Sequence, residues 1–273
     1  MTKNTREEKD TRPLAVITGA SSGIGYELAN VFAENGFDLI VNAEDRGIVD
    51  AAHAFRRHGG LVEAVQADLA TFEGVEKLYT HIVSLGRPLD SLVLNAGVGV
   101  GGEFAETELQ DELRLIRLNI VSLVHLTKRI LPDFIARESG RILFTSSIAA
   151  EMPGPYYAVY AASKAFVQSF SEALREEVKD KGIVVTALQP GATDTNFFAR
   201  ANMLDTKAGQ GRKDEPAQVA KDGFDALMAG KDHVVAGSMM NKVQAGMAKI
   251  ISEKRGAKIS AKQTKPASVR NRN

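Results

Sequence analysis

Residues 14–36 read LAVITGASSGIGYELANVFAENG. Five apolar or β-branched residues come first, then a glycine-rich turn, then a stretch with helical spacing. Gly19, Gly23 and Gly25 follow the order G-x-x-x-G-x-G, which differs from the G-x-G-x-x-G of other dinucleotide folds but asks for the same physics. Glycines permit a tight turn, let backbone approach a pyrophosphate, and allow strand and helix to pack closely. The start of the following helix offers free N–H groups and a partial positive charge to the same anion. The stretch is half of a βαβ unit with a built-in anion site.

Similar units continue along the chain. Short apolar runs recur at 37–41 (FDLIV), 61–67 (LVEAVQA), 91–96 (SLVLNA), 141–146 (RILFTS), 183–189 (IVVTALQ) and 233–237 (HVVAG). Between them lie helical patterns such as YELANVFAEN, GVEKLYTHIVSL and SFSEALREEVKD. Strands alternating with helices predict an α/β fold, a doubly wound parallel sheet of about seven strands. Runs apolar on both faces suit a sheet covered by helices on each side. The even spacing gives one domain over 13–240, after a flexible leader at 1–12. The extension at 241–273 is basic, with nine Lys or Arg from Lys242 onward against the single acid Glu253. A solvated, partly helical or disordered tail is expected there.

Bulk properties exclude several classes of function. The 273 residues are 44% hydrophobic and 25% charged, ordinary for a globular protein with a sizeable core. The net charge of zero gives no field that would draw nucleic acid or an anionic membrane. Cysteine is absent, which removes disulfides, thiolate metal sites and cysteine nucleophiles and fits a reducing cytoplasm. No apolar run approaches the roughly 18–20 residues that span a bilayer. His53, His58, His81, His125 and His233 are scattered without ligand-like spacing, so no metal site is expected.

TGASSGIG at 18–25, NAG at 95–97, Tyr160-Ala-Ala-Ser-Lys164 and PG at 190–191 occur in one order. Together they resemble the short-chain dehydrogenase/reductase family, over about residues 13–237. The resemblance implies a seven-stranded parallel sheet that binds NAD(H) or NADP(H) at the strand C-termini. It also implies that Tyr160 and Lys164, one helical turn apart and so on one helix face, do the proton work. A free tyrosine titrates near ~10, and a neighbouring ammonium is expected to lower that value. Ser147, thirteen residues before Tyr160, would hold the substrate oxygen. Ser146 competes with it, one residue off the family spacing. Asn119 would hold open a helix turn and seat a water leading from Lys164 to solvent.

The same resemblance assigns the cofactor contacts. Gly19, Ser21, Ser22, Gly23, Ile24 and Gly25 form the turn under the phosphates. Asp68, with Leu69 beside it, would accept a hydrogen bond from adenine, and Asn95, Ala96 and Gly97 would lie beside the adenosine ribose. Pro190, Gly191, Thr193 and Thr195 resemble the loop that meets the carboxamide and a phosphate, with Thr193 standing where Val or Ile is usual. Glu44, nineteen residues after Gly25, is the candidate acceptor for the ribose hydroxyls of NAD(H). The family's usual aspartate would align on Ala43, and Arg46, Ser21 or Ser22 could instead serve the phosphate of NADP(H). Two adjacent acids, Glu44 and Asp45, favour NAD(H).

The expected activity is interconversion of a ketone or aldehyde and an alcohol with an apolar body. A lid over 197–216 and residues Met152, Tyr156, Phe197, Phe198 and Met203 would enclose the small-molecule substrate. A 3-oxoacyl thioester reductase and a non-catalytic dinucleotide sensor are the alternatives. The helices around 108–131 and 157–180 imply a homodimer or homotetramer, by the family's pairing.

Overall fold

β1 (Leu14–Thr18) lies at the centre of a sheet whose strands are all parallel. The computed structural model describes residues 12–248 and 251–270. Beside β1 run β2 (Asp38–Ala43) and β3 (Val62–Gln66) on one side. On the other run β4 (Ser91–Leu94), β5 (Gly140–Thr145), β6 (Ile183–Gln189) and β7 (His233–Val235). The order is β3-β2-β1-β4-β5-β6-β7. The chain changes direction across the sheet between β1 and β4, and such a switch opens a crevice at the strand C-termini. The leader expected at 1–12 lies outside the described residues except for Arg12, whose carbonyl accepts from Arg87.

Alternation along the strands assigns residues to two cores. From β1, β4 and β5, Leu14, Val16, Leu92, Leu94, Ile142 and Phe144 face one core, while Ala15, Ile17, Val93 and Leu143 face the other. The first core is covered by α3 (Phe72–Ser84), α5 (Ser122–Arg137) and α6 (Ala158–Val178). The second is covered by α1 (Gly23–Glu34), α2 (Gly47–Phe55) and α9 (Pro216–Met228). The seven apolar runs read from sequence all become strands of this sheet, with ends shifted by one or two residues.

Local chemistry fixes several helix ends. Thr71 caps α3 by accepting from the Gly74 amide at 3.0 Å, an arrangement worth about 1 kcal/mol. Between α4 (Leu109–Ile116) and α5 the backbone widens into one π turn, Arg117–Val121, and π turns concentrate at functional sites. The segment after β6 carries the short helices α7 (Phe197–Arg200) and α8 (Lys207–Gln210). After β7 the chain continues into α10 (Met239–Ala248), α11 (Glu253–Thr264) and α12 (Ala267–Arg270). No helix among the described residues is long and apolar enough to cross a membrane.

Phe32 of α1 is fully buried and meets Phe37 and Phe224 of α9 edge-on, each at 4.9 Å. It pins α1, and with it the glycine turn, to the sheet. Phe32→Ala is expected to lower the unfolding free energy by about 3–5 kcal/mol, measured by urea denaturation; a loss below 1 kcal/mol would contradict this anchoring role.

Candidate active site

A cleft of about 940 Å³ runs along the C-terminal ends of the central strands. Its walls include Gly19, Ser21, Ser22, Gly23, Ile24, Gly25, Glu44, Asp68, Leu69, Asn95, Ala96, Gly97, Ser147, Tyr160, Lys164, Pro190, Gly191, Thr193 and Thr195. Asn119 is buried just behind Gly97 and Val98. The residues read from sequence therefore meet around one space, with Asn119 supporting its wall.

The glycine turn has little room for side chains. A Cβ on Gly25 would lie 2.0 Å from the Gly19 carbonyl oxygen, and Gly19 adopts φ 67°. Ser22 stands at the N-cap of α1 without a side-chain capping bond, and the first turn holds no acid. Its amides are left available to an anion, with the helix dipole behind them. The turn fits the diphosphate of a dinucleotide. Opposite it, Thr18 Oγ1 accepts from the amides of Asn95 and Ala96, both at 3.0 Å, and locks the NAG turn to β1.

At the inner end, α6 presents Tyr160 and Lys164 to the cleft. Lys164 is 5% exposed, and its Nζ donates to the Thr145 carbonyl at the end of β5 at 2.8 Å. The same ammonium lies 5.8 Å from the Tyr160 ring centroid. Ser147 Oγ lies on the Tyr160 side of the cleft, where it donates to the Pro190 carbonyl at 3.4 Å and accepts from the Ala149 amide at 3.0 Å. Ser146, the competing serine, is committed elsewhere: its hydroxyl donates to the Lys164 carbonyl at 3.1 Å. The turn leading into α6 is strained, with Tyr156 at φ 65°, a cost of order 1–3 kcal/mol that functional sites tend to carry.

Asn119 lies in the π turn. Its Oδ1 accepts from the Val98 amide at 2.9 Å, while its Nδ2 donates to the Val98 carbonyl and to Ser163 Oγ, both at 3.0 Å. The side chain ties the widened turn to the β4 loop and to α6.

Burial sets the electrostatics here. It pushes the Tyr160 phenol well above its ordinary value, with the Ser147 hydrogen bond opposing and Tyr157 adding to the rise. Burial likewise pushes Lys164 down to about 8. Burial, not the neighbouring ammonium, sets the direction of the phenol's shift in this geometry. Tyr160 is protonated at neutral pH.

At the outer end, the sequence reading missed Arg114 of α4. It pairs with Glu44 and, at 2.9 Å, with Asp68. Burial tends to raise Asp68, but the hydrogen bonds from Arg114 and the Ala70 amide prevail and hold it below the usual carboxylate range. Glu44 is therefore a paired acid. Asp45 accepts from the Ser21 hydroxyl at 2.8 Å and from the Gly47 amide at 2.9 Å. Arg200, from α7, reaches back to Ser22 Oγ at 3.3 Å. No sequence spacing points to Arg114 or Arg200, because both contacts cross between distant segments. The histidines stand apart from the cleft; His81 pairs with Glu63 at 2.6 Å and His125 with Glu76 at 2.7 Å.

A family model described as short chain dehydrogenase matches residues 13–205. The chain belongs to this family, whose members are NAD(P)-dependent dehydrogenases and reductases. It is 30% identical over 235 residues to an uncharacterized oxidoreductase, YmfI, of Bacillus subtilis, covering 83% of this chain and 96% of the relative. A short-chain dehydrogenase from Sphingobium yanoikuyae, solved with NADPH, superposes with a TM-score of 0.77 at 30% identity. That match covers 82% of this chain and 87% of the other. An alcohol dehydrogenase from Comamonas testosteroni, described as specific for bulky-bulky ketones, gives 0.74 at 26% identity, covering 88% and 95%.

The electrostatics of Lys164 make a stability prediction. Its folded value, about 8, lies below its ordinary 10.5, so the native state binds this proton less tightly than the unfolded chain. The penalty is fully present below about pH 8 and is relieved as pH rises from there toward 10.5. Lys164→Met is expected to melt at or above the wild-type temperature at neutral pH, with the advantage shrinking across that window. A variant melting several degrees lower at neutral pH would show that the bond to Thr145 outweighs the burial penalty.

Proposed function

We propose that this chain interconverts a ketone or aldehyde and the corresponding alcohol, on a substrate with an apolar body, through Tyr160. The observation that carries the reading is the meeting of Ser147, Tyr160 and Lys164 in the cleft that begins at the glycine turn. A bound nicotinamide dinucleotide supplies or accepts the hydride. Ser147 holds the substrate oxygen beside the phenol. In reduction the neutral phenol gives its proton to that oxygen; in oxidation the phenolate takes it back. Lys164, fixed by Thr145, holds positive charge near the ring and favours proton departure. Asn119 keeps the π turn open, and a water seated there links Lys164 to solvent. Met152, Phe197, Phe198 and Met203 give the substrate end apolar walls.

For the outer end we infer NAD(H). Glu44 and Asp45 place two carboxylates after β2, and Arg114 is already held between Glu44 and Asp68. A phosphate dianion is disfavoured beside them. Asp68, Leu69 and the Asn95-Ala96-Gly97 turn serve the adenosine, while Pro190, Gly191, Thr193 and Thr195 serve the carboxamide and a phosphate. Lys207 and Arg212 on the cleft wall support a second reading, reduction of a 3-oxoacyl thioester on an anionic carrier. The exposed apolar residues Leu109, Val121 and Phe166 support assembly as a homodimer or homotetramer, and the lack of cysteine supports a cytoplasmic setting.

A panel of ketones, 3-oxoacyl thioesters and alcohols with each dinucleotide, followed at the reduced nicotinamide band, tests the reading; silence across the panel would refute it. Tyr160→Phe is expected to lose on the order of 10²–10⁴-fold in kcat while its dinucleotide Kd stays within about two-fold; near-normal turnover would remove Tyr160 from the chemistry. NADH is expected to bind more tightly than NADPH, and Glu44→Ala to narrow the gap, in fluorescence titrations. Tighter NADPH binding in the wild type would reverse the cofactor assignment.

A further inference from the structure

The chain beyond β7 is a structural part of the cleft. After Gly237, residues of α10 (Met240 to Ala248) and the segment from Ile251 to Thr264 line the same space as Tyr160. The family match ends at residue 205, so it assigns this segment no role.

Three attachments hold the strap around the substrate end. Asn241 Nδ2 donates to Asp214 at 2.6 Å and to the Ala236 carbonyl at 2.9 Å. Thr264 Oγ1 donates to the Pro155 carbonyl at 2.7 Å. The Ala267 amide donates to Asp205 at 2.9 Å, tying the far end to the lid between α7 and α8. The inward face is built from small residues, Ala245, Ala248, Gly256, Ser260 and Thr264, all buried. Small residues let the backbone come close: a Cβ on Gly256 would lie 3.3 Å from Met152 Cγ. Ser260 Oγ lies 3.5 Å from the Tyr157 hydroxyl, and the Tyr157 ring stacks on Tyr160 at 5.8 Å. The strap therefore reaches the proton donor through one intervening ring.

Its side chains are sorted by polarity. Lys242, Glu253, Lys254, Arg255, Lys258 and Lys262 are exposed, and none of them lines the cleft. The strap residues that do line it include Val243, Met247, Ile251 and Ile259, with no charged ones among the described residues. Met152, packed against Gly256 of the strap, and Met203 line the same space. The cations Arg200, Lys207 and Arg212 come from the lid instead, and Arg200 is turned toward Ser22. Apolar surface gathered by the strap around a space selects ligands by hydrophobic burial.

We propose that residues 239–248 and 251–267 form a specificity strap that completes the substrate chamber and selects carbonyl substrates with a bulky apolar body. This rests on the reading of Tyr160 and Ser147 as the point that fixes the substrate oxygen. With the oxygen held there, the body of the substrate extends among Met152, Met203, Met247, Ile251 and Ile259, which line the same space. A small ketone leaves those strap residues untouched. Met247 and Ile259 are 57% and 44% exposed, so they contribute little to folding and are free to be changed.

The test uses the full-length chain with bound NADH and the aryl ketone 6-propionyl-2-(dimethylamino)naphthalene, whose emission shifts to the blue in apolar surroundings. The wild type is expected to bind the probe with a blue shift. The double variant Met247→Asp with Ile259→Asp is expected to bind it at least ten-fold more weakly, with NADH affinity and melting temperature unchanged. Met247→Leu with Ile259→Leu is expected to bind as the wild type does. In turnover, the Asp variant is expected to raise KM for aryl ketones at least ten-fold more than KM for an acetone-sized ketone. Absence of probe binding by the wild type, or equal binding by the Asp variant, would overturn the strap proposal. Strap-dependent probe binding without turnover of any carbonyl would instead overturn the redox assignment and leave the strap as a binding element.

Discussion

The bond from Lys164 Nζ to the Thr145 carbonyl sets the geometry of the inner site. A lysine 5% exposed has given up most of its hydration, and burial of that kind is tolerated only where a strong acceptor meets the ammonium. The acceptor is a main-chain oxygen at the end of β5, so the bond fixes how α6 lies against the sheet. Tyr160, one turn earlier on the same face, is thereby aimed into the cleft. Ser147 follows β5 by two residues and lines the same cleft, held by the Pro190 carbonyl and the Ala149 amide. Asn119 closes the arrangement from behind by joining Val98 and Ser163. A strand end, a helix face and a π turn thus meet at one space.

The charge balance at this point is governed by desolvation more than by attraction between neighbours. Burial raises the phenol and lowers the amine, so both groups move toward their neutral forms. A neutral phenol is the form that donates a proton, which suits the reductive direction. The outer end of the cleft works differently. There Arg114 stays charged between Glu44 and Asp68, in partly exposed positions where water screens the pairs. The two ends differ accordingly: a dry half where burial moves groups toward neutrality, and a wetter one where charge persists.

Much of this was legible in the sequence. The strands announced themselves because a sheet covered on both faces demands unbroken apolar runs, and the glycine turn because no other residue fits beside the Gly19 carbonyl. Tyr160 and Lys164 were legible because helical spacing puts i and i+4 on one face. What stayed hidden has a common cause. Arg114 meets Glu44 across 70 positions, and Arg200 meets Ser22 across 178; local periodicity carries no trace of such contacts. The C-terminal segment read as a solvated tail because its inward face is made of Ala, Gly, Ser and Thr. Close approach needs small residues, and small residues give no amphipathic signal.

The most direct measurement is transfer of label. The protein, a bulky aryl ketone and NADH or NADPH deuterated at C4 on either face are mixed, and the product alcohol is examined by mass spectrometry and NMR. With one face labelled, one deuterium is predicted at the carbinol carbon, with a single configuration. With the other face labelled none is predicted, and Tyr160→Phe should suppress the product from either. A dinucleotide that binds while leaving every ketone unlabelled, or label transfer that survives intact in Tyr160→Phe, would contradict the account.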